Sequence, residues 1–151
     1  MFKNILVPTD GSPAALYAAE SLAARLRPIT GAQVTIVVVI APMDWNLTDF
    51  DTKFVSEQNR QMRLHAERVL TKTAGIFAKQ CIAHTSKVIE GNPVSAALAR
   101  EAGTGSYDLI VMSSRGIGGQ ADSLRYMGSV TEHVIRRVST PVLVIPPPDE
   151  D

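Results

Sequence analysis

Cysteine is nearly absent from this sequence, with Cys81 the only one in 151 residues. A single thiol excludes an intrachain disulfide framework and a multi-cysteine metal site, and it suits a reducing compartment. Its expected role is that of a buried, inert thiol. An excess of one charge is missing too, since 15 Lys and Arg balance 15 Asp and Glu. Without a basic surplus there is no electrostatic footprint for nucleic acid or an anionic membrane, and neither is expected as a partner. The apolar run that follows Met1-Phe2-Lys3-Asn4 stops at Pro8, too short for a signal-peptide core or a membrane span. The expected compartment is the cytoplasm. No internal repeat and no second domain is visible.

What is present is an alternation of strands and helices in a chain long enough for one unstapled core. Ile5-Leu6-Val7 is wholly apolar, as suits a strand buried on both faces of a parallel sheet. Ser12-Pro13 then reads as a helix start, an N-cap hydroxyl followed by a proline whose missing N–H costs nothing there. Leu16, Ala19, Leu22, Ala23 and Leu26 recur at helical spacing until Arg27-Pro28. Gln33 to Ile40 is a β-branched run and a second central strand. After an irregular stretch from Met43 to Phe50, Val55, Met62, Ala66, Val69, Leu70 and Phe77 mark a long helix with Gly75 near its end. Thr85 to Ile89 alternates like an edge strand, with Lys87 discouraging further pairing. Gly91-Asn92-Pro93 turns into a third helix carrying Val94, Ala97 and Leu98. Leu109 to Met112 is a fourth strand, Val130 to Val138 a fourth helix, and Val142 to Ile145 a fifth strand. The order implies an α/β domain over residues 1–146, an open five-stranded parallel sheet with helices on both faces. Residues 147–151 form an acidic, disordered tail.

Parallel sheets bind ligands beyond the carboxyl ends of their strands, near the reversal of strand order. Two segments sit there. Pro8-Thr9-Asp10-Gly11-Ser12 follows the first strand, and Ser113-Ser114-Arg115-Gly116-Ile117-Gly118-Gly119 follows the fourth and leads to Gly128-Ser129. Glycines let backbone N–H groups turn toward an anion, and a helix amino terminus adds donors and the positive end of its dipole. The loop therefore reads either as a phosphate cradle or as a flexible connection with Ser129 capping the fourth helix. Asp10 likewise has two readings: an acceptor for a ligand amino or hydroxyl group, or a carboxylate that favours the first helix through its dipole.

Several chemistries are excluded by motif. Gly116-Ile117-Gly118-Gly119-Gln120-Ala121 fits the dinucleotide fingerprint formally but follows the fourth strand and has no acidic residue closing a next one. Gly128-Ser129 lacks the lysine of a Walker A loop, so strong autonomous ATP hydrolysis is not expected. His65, His84 and His133 have no metal-site spacing, and no serine sits in a Gly-x-Ser-x-Gly elbow. The chain is not expected to be an enzyme.

Residues 5–12, Asp108 to Met112, Gly128-Ser129-Val130-Thr131-Glu132-His133-Val134 and Pro141 to Ile145 together resemble the universal stress protein family, over nearly the whole chain. The resemblance implies strand order 3-2-1-4-5, with the first and fourth strands side by side. It implies that Asp10 and the backbone at Val39 hold adenine, that Pro8 and Thr9 lie by the ribose, and that Ser113, Gly116, Gly128, Ser129 and Val130 surround the phosphates. In the nucleotide-binding branch the signature is Gly, two residues, Gly, nine residues, then Gly with Ser or Thr. Aligned on the end of the fourth strand, this chain has Ser113, two residues, Gly116, eleven residues and Gly128-Ser129. Aligned on glycines, Gly116 and Gly119 match, but only eight residues precede Gly128. The first register keeps the strand in place. It puts a serine where a positive φ is expected, at a cost of about 1 to 2 kcal/mol. The longer loop leaves Arg115 or Arg125 either to offset the phosphate charge or to stay solvated.

Three functions follow. The first is a stress-response regulatory homodimer that binds ATP, with Mg²⁺ on its phosphates. The second is a dimeric interaction module of the same fold, recognised by a protein partner without ATP. The third is a slow nucleotide hydrolase. In each, the apolar edge strand Val142 to Ile145 pairs with a second copy.

Overall fold

Strand β1 (Asn4–Pro8) is the middle of a five-stranded parallel sheet whose order is β3-β2-β1-β4-β5, with β2 at Gln33–Ile40, β3 at Ala83–Glu90, β4 at Leu109–Ser113 and β5 at Val142–Ile145. The computed structural model describes residues 2–26, 31–44, 46, 51–115 and 127–148. Among the described residues four helices alternate with the strands: α1 (Pro13–Leu26), α2 (Thr52–Lys79), α3 (Val94–Thr104) and α4 (Ser129–Arg137). The fold class and strand order agree with the sequence reading, and Pro147 and Pro148 have no regular secondary structure, while the rest of the expected tail, 149–151, lies outside the described residues.

The continuous apolar runs divide between the two faces of the sheet because successive strand side chains point to opposite sides. Ile5, Val7, Val34, Ile36, Val38, Leu109 and Val111 pack under α1 and α2, against Leu22, Leu26, Val69, Leu70 and Phe77. Leu6, Val37, Ile110 and Met112 face the other way, onto Leu98 of α3 and Val134 of α4. The lower edge is pinned by Asp108, whose carboxylate accepts the N–H groups of Lys3 (2.8 Å) and Asn4 (3.1 Å) while its own N–H donates to the Asn4 carbonyl (2.9 Å). That clasp fixes the register of Ile5 with Leu109 and Leu6 with Ile110.

Helix α1 begins as its sequence dictates, with the Ser12 hydroxyl accepting the Ala15 N–H at 3.2 Å. Helix α2 runs straight through Gly75 to Lys79. Its end corrects the expectation for Cys81, which is exposed and has φ 55°. The Cys81 N–H donates to the Ala78 carbonyl (3.0 Å) and the Ile82 N–H to the Phe77 carbonyl (3.1 Å), a Schellman termination that turns the chain outward at the left-handed residue and brings buried Ile82 onto buried Phe77. The cysteine takes the place usually held by glycine, so its thiol points to water and not into the core.

Lys87 also acts differently from a bare edge guard. Its ammonium crosses the face of the sheet to pair with Glu101 on α3, and the Tyr107 hydroxyl donates to the same carboxylate at 2.8 Å. Hydrogen bonding to Glu101 raises the Lys87 pKa. Burial pushes the Glu101 carboxyl up, but the hydrogen bonds from Lys87 and Tyr107 outweigh it and hold the group below its usual range. Burial, and then the neighbouring Glu101, raise the Tyr107 phenol.

Candidate functional site

The strands do not end level. Pro8, the last residue of β1, is opposite Val37, whereas β2 continues to Ile40 and stays paired with β3 as far as Glu90. On the other side β4 reaches Ser113, opposite Ile145 of β5. The reversal of strand order at β1 therefore leaves a notch at the carboxyl edge, walled by the ends of β2 and β4. Such a crevice is where open α/β sheets hold ligands.

The floor is the turn after β1, held by its own side chains. The Thr9 N–H donates to the Val37 carbonyl (2.9 Å) and the Thr9 hydroxyl accepts the Gly11 N–H (3.2 Å). Asp10 Oδ1 accepts the Ser12 N–H at 2.9 Å. Gly11 sits at φ 77°, and a Cβ there would stand 2.7 Å from a methyl of Val69 on α2. Thr9 and Ser12 are buried and Asp10 is exposed at the rim of the notch. Asp10 precedes the capping residue and is not in the first turn of α1. Its carboxylate organises the turn by accepting the Ser12 N–H.

The β2 wall is backbone. Val37 directs its carbonyl to the β1 side, and Ile40 directs its own to the opposite side, where it accepts the Gly91 N–H at 3.0 Å. Val39 shares the direction of Val37 by the two-residue period of a strand but stands beyond the end of β1. Its half-buried side chain packs onto the core under α3 and α4, while its peptide edge faces the notch. By its residue type Val39 reads only as plain core; the family resemblance singles it out, and the offset between strand ends leaves its peptide edge beside the notch.

The β4 wall is the amino end of α4. Gly128 is the N-cap, φ −60° and ψ 147°, and as a glycine it contributes no side-chain capping bond. The expectation that Ser129 is the cap is therefore corrected: Ser129 is the first helical residue, exposed, one position inside the turn where a capping hydroxyl works. The end is tied to β4 instead. The Gly128 N–H donates to the Ser114 carbonyl (2.6 Å), and the buried hydroxyl of Thr131, a residue that sequence reasoning passed over, donates to the Ser113 carbonyl (2.9 Å). The first-turn N–H groups of Ser129 and Val130 have no intrahelical acceptor, by the geometry of any α-helix.

Ser113 corrects a second expectation. It is the last residue of β4, and Cys81 is the only non-glycine with positive φ among the described residues. The serine replaces a glycine without backbone strain. Its hydroxyl donates to the Arg115 carbonyl at 2.6 Å, shaping the start of the loop. Gly116, Gly118, Gly119 and Arg125 lie outside the described residues. The histidines have local partners or none that suggest metal binding: His84 Nδ1 is 2.8 Å from the Ile82 carbonyl, His133 Nδ1 is 3.0 Å from the Ser129 carbonyl, and His65 is exposed. Among the described residues no three His, Cys, Asp or Glu side chains gather as a metal site, and no helix is long and apolar enough to cross a membrane.

A family model described as the Universal stress protein family matches residues 1–146. The universal stress protein MJ0531 of Methanocaldococcus jannaschii is 29% identical over 152 residues, covering 100% of this chain and 86% of that protein. Among solved structures, that of the hypothetical protein MJ0577 superposes with a TM-score of 0.84 at 25% identity, covering 99% of each chain. Two more distant structures share the fold and were solved with nucleotides. An Arabidopsis thaliana universal stress protein family protein with AMP bound has a TM-score of 0.71 at 12% identity, covering 97% of this chain and 92% of that one. The Archaeoglobus fulgidus universal stress protein in complex with dAMP has a TM-score of 0.67 at 20% identity, covering 95% and 97%.

Proposed function

We propose, from the premise that this chain belongs to the universal stress protein family, that it binds ATP in the notch and acts as a cytoplasmic, stress-responsive regulatory homodimer. The observation that carries the reading is the pairing of two unlike walls. On one side is the peptide edge of Val39, suited to a base. On the other is the amino end of α4, whose N-cap is a glycine with no capping side chain, suited to an anion. Relatives of this fold solved with AMP and dAMP support an adenine nucleotide.

The base lies against Asp10 and the Val39 backbone, the ribose over Pro8 and Thr9, and the phosphates among Ser113, Gly116, Gly128, Ser129 and Val130. Mg²⁺ would be held chiefly by the phosphates themselves, which supply most of its ligands. The role proposed is binding and not turnover, since Gly128-Ser129 lacks the lysine of a Walker A loop. Edge strand β5, with Leu143 42% exposed and Ile135 of α4 39% exposed, pairs with a second copy.

Protein purified without nucleotide-stripping steps releases an adenine nucleotide on denaturation, and Asp10→Ala combined with Gly128→Ala abolishes that release. Gly128 has an ordinary helical-cap φ, so the alanine tests the site without backbone strain. A second reading is favoured by Ser113 and by the two extra residues of the loop: a dimeric module recognised by a protein partner. A stable dimer that copurifies with no nucleotide, and holds its partner equally well with and without ATP, replaces the first reading with this one.

A further inference from the structure

Helix α2 is too long for the sheet it covers. Its 28 residues span about 42 Å, against about 26 Å for the eight residues of β3. Arg63 of α2 pairs with Glu90, the last residue of β3, so residues 52–62 rise past the strand ends beside the notch. On this overhang stands half-buried Asn59. Its Oδ1 accepts the Met43 N–H at 2.8 Å and its Nδ2 donates to the Met43 carbonyl at 3.0 Å. One side chain thus satisfies both backbone groups of a single residue, as a neighbouring strand would, in a segment where the sheet offers no partner among the described residues.

We propose that Asn59 is a positioning residue for the nucleoside end of the ligand. The chain leaves β2 at Ile40, passes Ala41-Pro42 and is captured at Met43. The Ile40 carbonyl is held by Gly91 from the β3 side, and Asn59 supplies the second anchor. Together they set the direction in which the chain leaves β2, and with it the wall that Val39 presents to the notch. The phosphate donors belong to α4, across β1 on the opposite side, so Asn59 acts on the base and ribose and not on the phosphates. This inference rests on the proposed nucleotide site.

The test is a series of calorimetric titrations with adenosine, AMP and ATP on the full chain and on Asn59→Ala. The expected result is an affinity loss of about tenfold that is the same for all three ligands, with faster hydrogen exchange at the Met43 amide and unchanged exchange at Val37 and Val38. A wild-type protein that binds none of the three overturns the nucleotide site and this inference with it. If the wild type binds but Asn59→Ala matches it, or if the loss grows with the number of phosphates, the inference alone is overturned. Should Asn59→Ala also lower the urea midpoint, Asn59→Asp decides. It keeps the acceptor for the Met43 N–H and loses the donor to the carbonyl, so an intermediate affinity upholds the proposal and wild-type affinity overturns it.

Discussion

Substituting Gly11 by alanine tests the floor of the site and its dependence on α2. Two costs are separable. The left-handed backbone, φ 77°, penalises any L side chain by about 1 to 2 kcal/mol. The new methyl, 2.7 Å and 3.3 Å from the two methyls of Val69, forces a shift in a packed helix worth about 1 to 3 kcal/mol. Against them stands a stabilisation of about 0.4 to 1 kcal/mol from the less flexible unfolded chain. The net expectation is a loss of about 1 to 5 kcal/mol, from a total stability of about 5 to 15 kcal/mol for such a domain. Urea unfolding followed by circular dichroism measures it. Val69→Ala alone costs about 2 kcal/mol for the buried surface removed, but it also clears the space beside Gly11. The double variant should therefore be more stable than additivity predicts, by about the steric share. A Gly11→Ala cost below about 0.5 kcal/mol, or strict additivity of the pair within that margin, would refute the reasoning.

Cys81→Gly should stabilise the protein by about 1 kcal/mol, because the Schellman turn places a left-handed residue there; a lowered melting temperature would show that the thiol has a role in the fold. Thr131→Val should cost about 1 to 2 kcal/mol by leaving the Ser113 carbonyl without its donor, and the amides at the start of α4 should exchange faster, which deuterium exchange reads directly. The Lys87–Glu101 pair predicts a signed pH dependence. The Glu101 pKa is lowered from 4.5, so its contribution is present above that value and disappears as pH falls through the folded-state pKa. Lys87 is raised above 10.5, so its contribution is present below that value and disappears at alkaline pH. The stability gap between wild type and Glu101→Gln should accordingly be widest near neutrality and narrow below pH 4; a gap that persists at pH 3 would assign the cost to packing.

Most of the fold was legible because buried parallel strands are apolar without interruption. Gln33 to Ile40 matches β2 residue for residue, and Ser12-Pro13 marks the start of α1 through a capping bond that the structure contains. Where the sequence misleads, the determining geometry is tertiary. Cys81 looks like a core thiol because cysteines usually are, and only the helix termination turns it outward. Ser113 looks strained by comparison with a glycine signature, yet it closes a strand. Of the site, Asp10 and Gly128 were visible as a carboxylate and a helix entry at strand ends. Val39 was legible only through the family resemblance, since its placement depends on the unequal lengths of β1 and β2. Thr131 and Asn59 were missed because their bonds reach the backbone at Ser113 and Met43, 18 and 16 residues away, and a lone polar residue on a helix signals nothing of such a partner.

Isothermal titration of the full chain with ATP and Mg²⁺ tests the central claim most directly. Saturable binding at one site per chain is expected, weakened by at least tenfold in the Asp10→Ala, Gly128→Ala double variant. Absence of binding at millimolar ATP, by protein first shown to be free of copurified nucleotide, would contradict it.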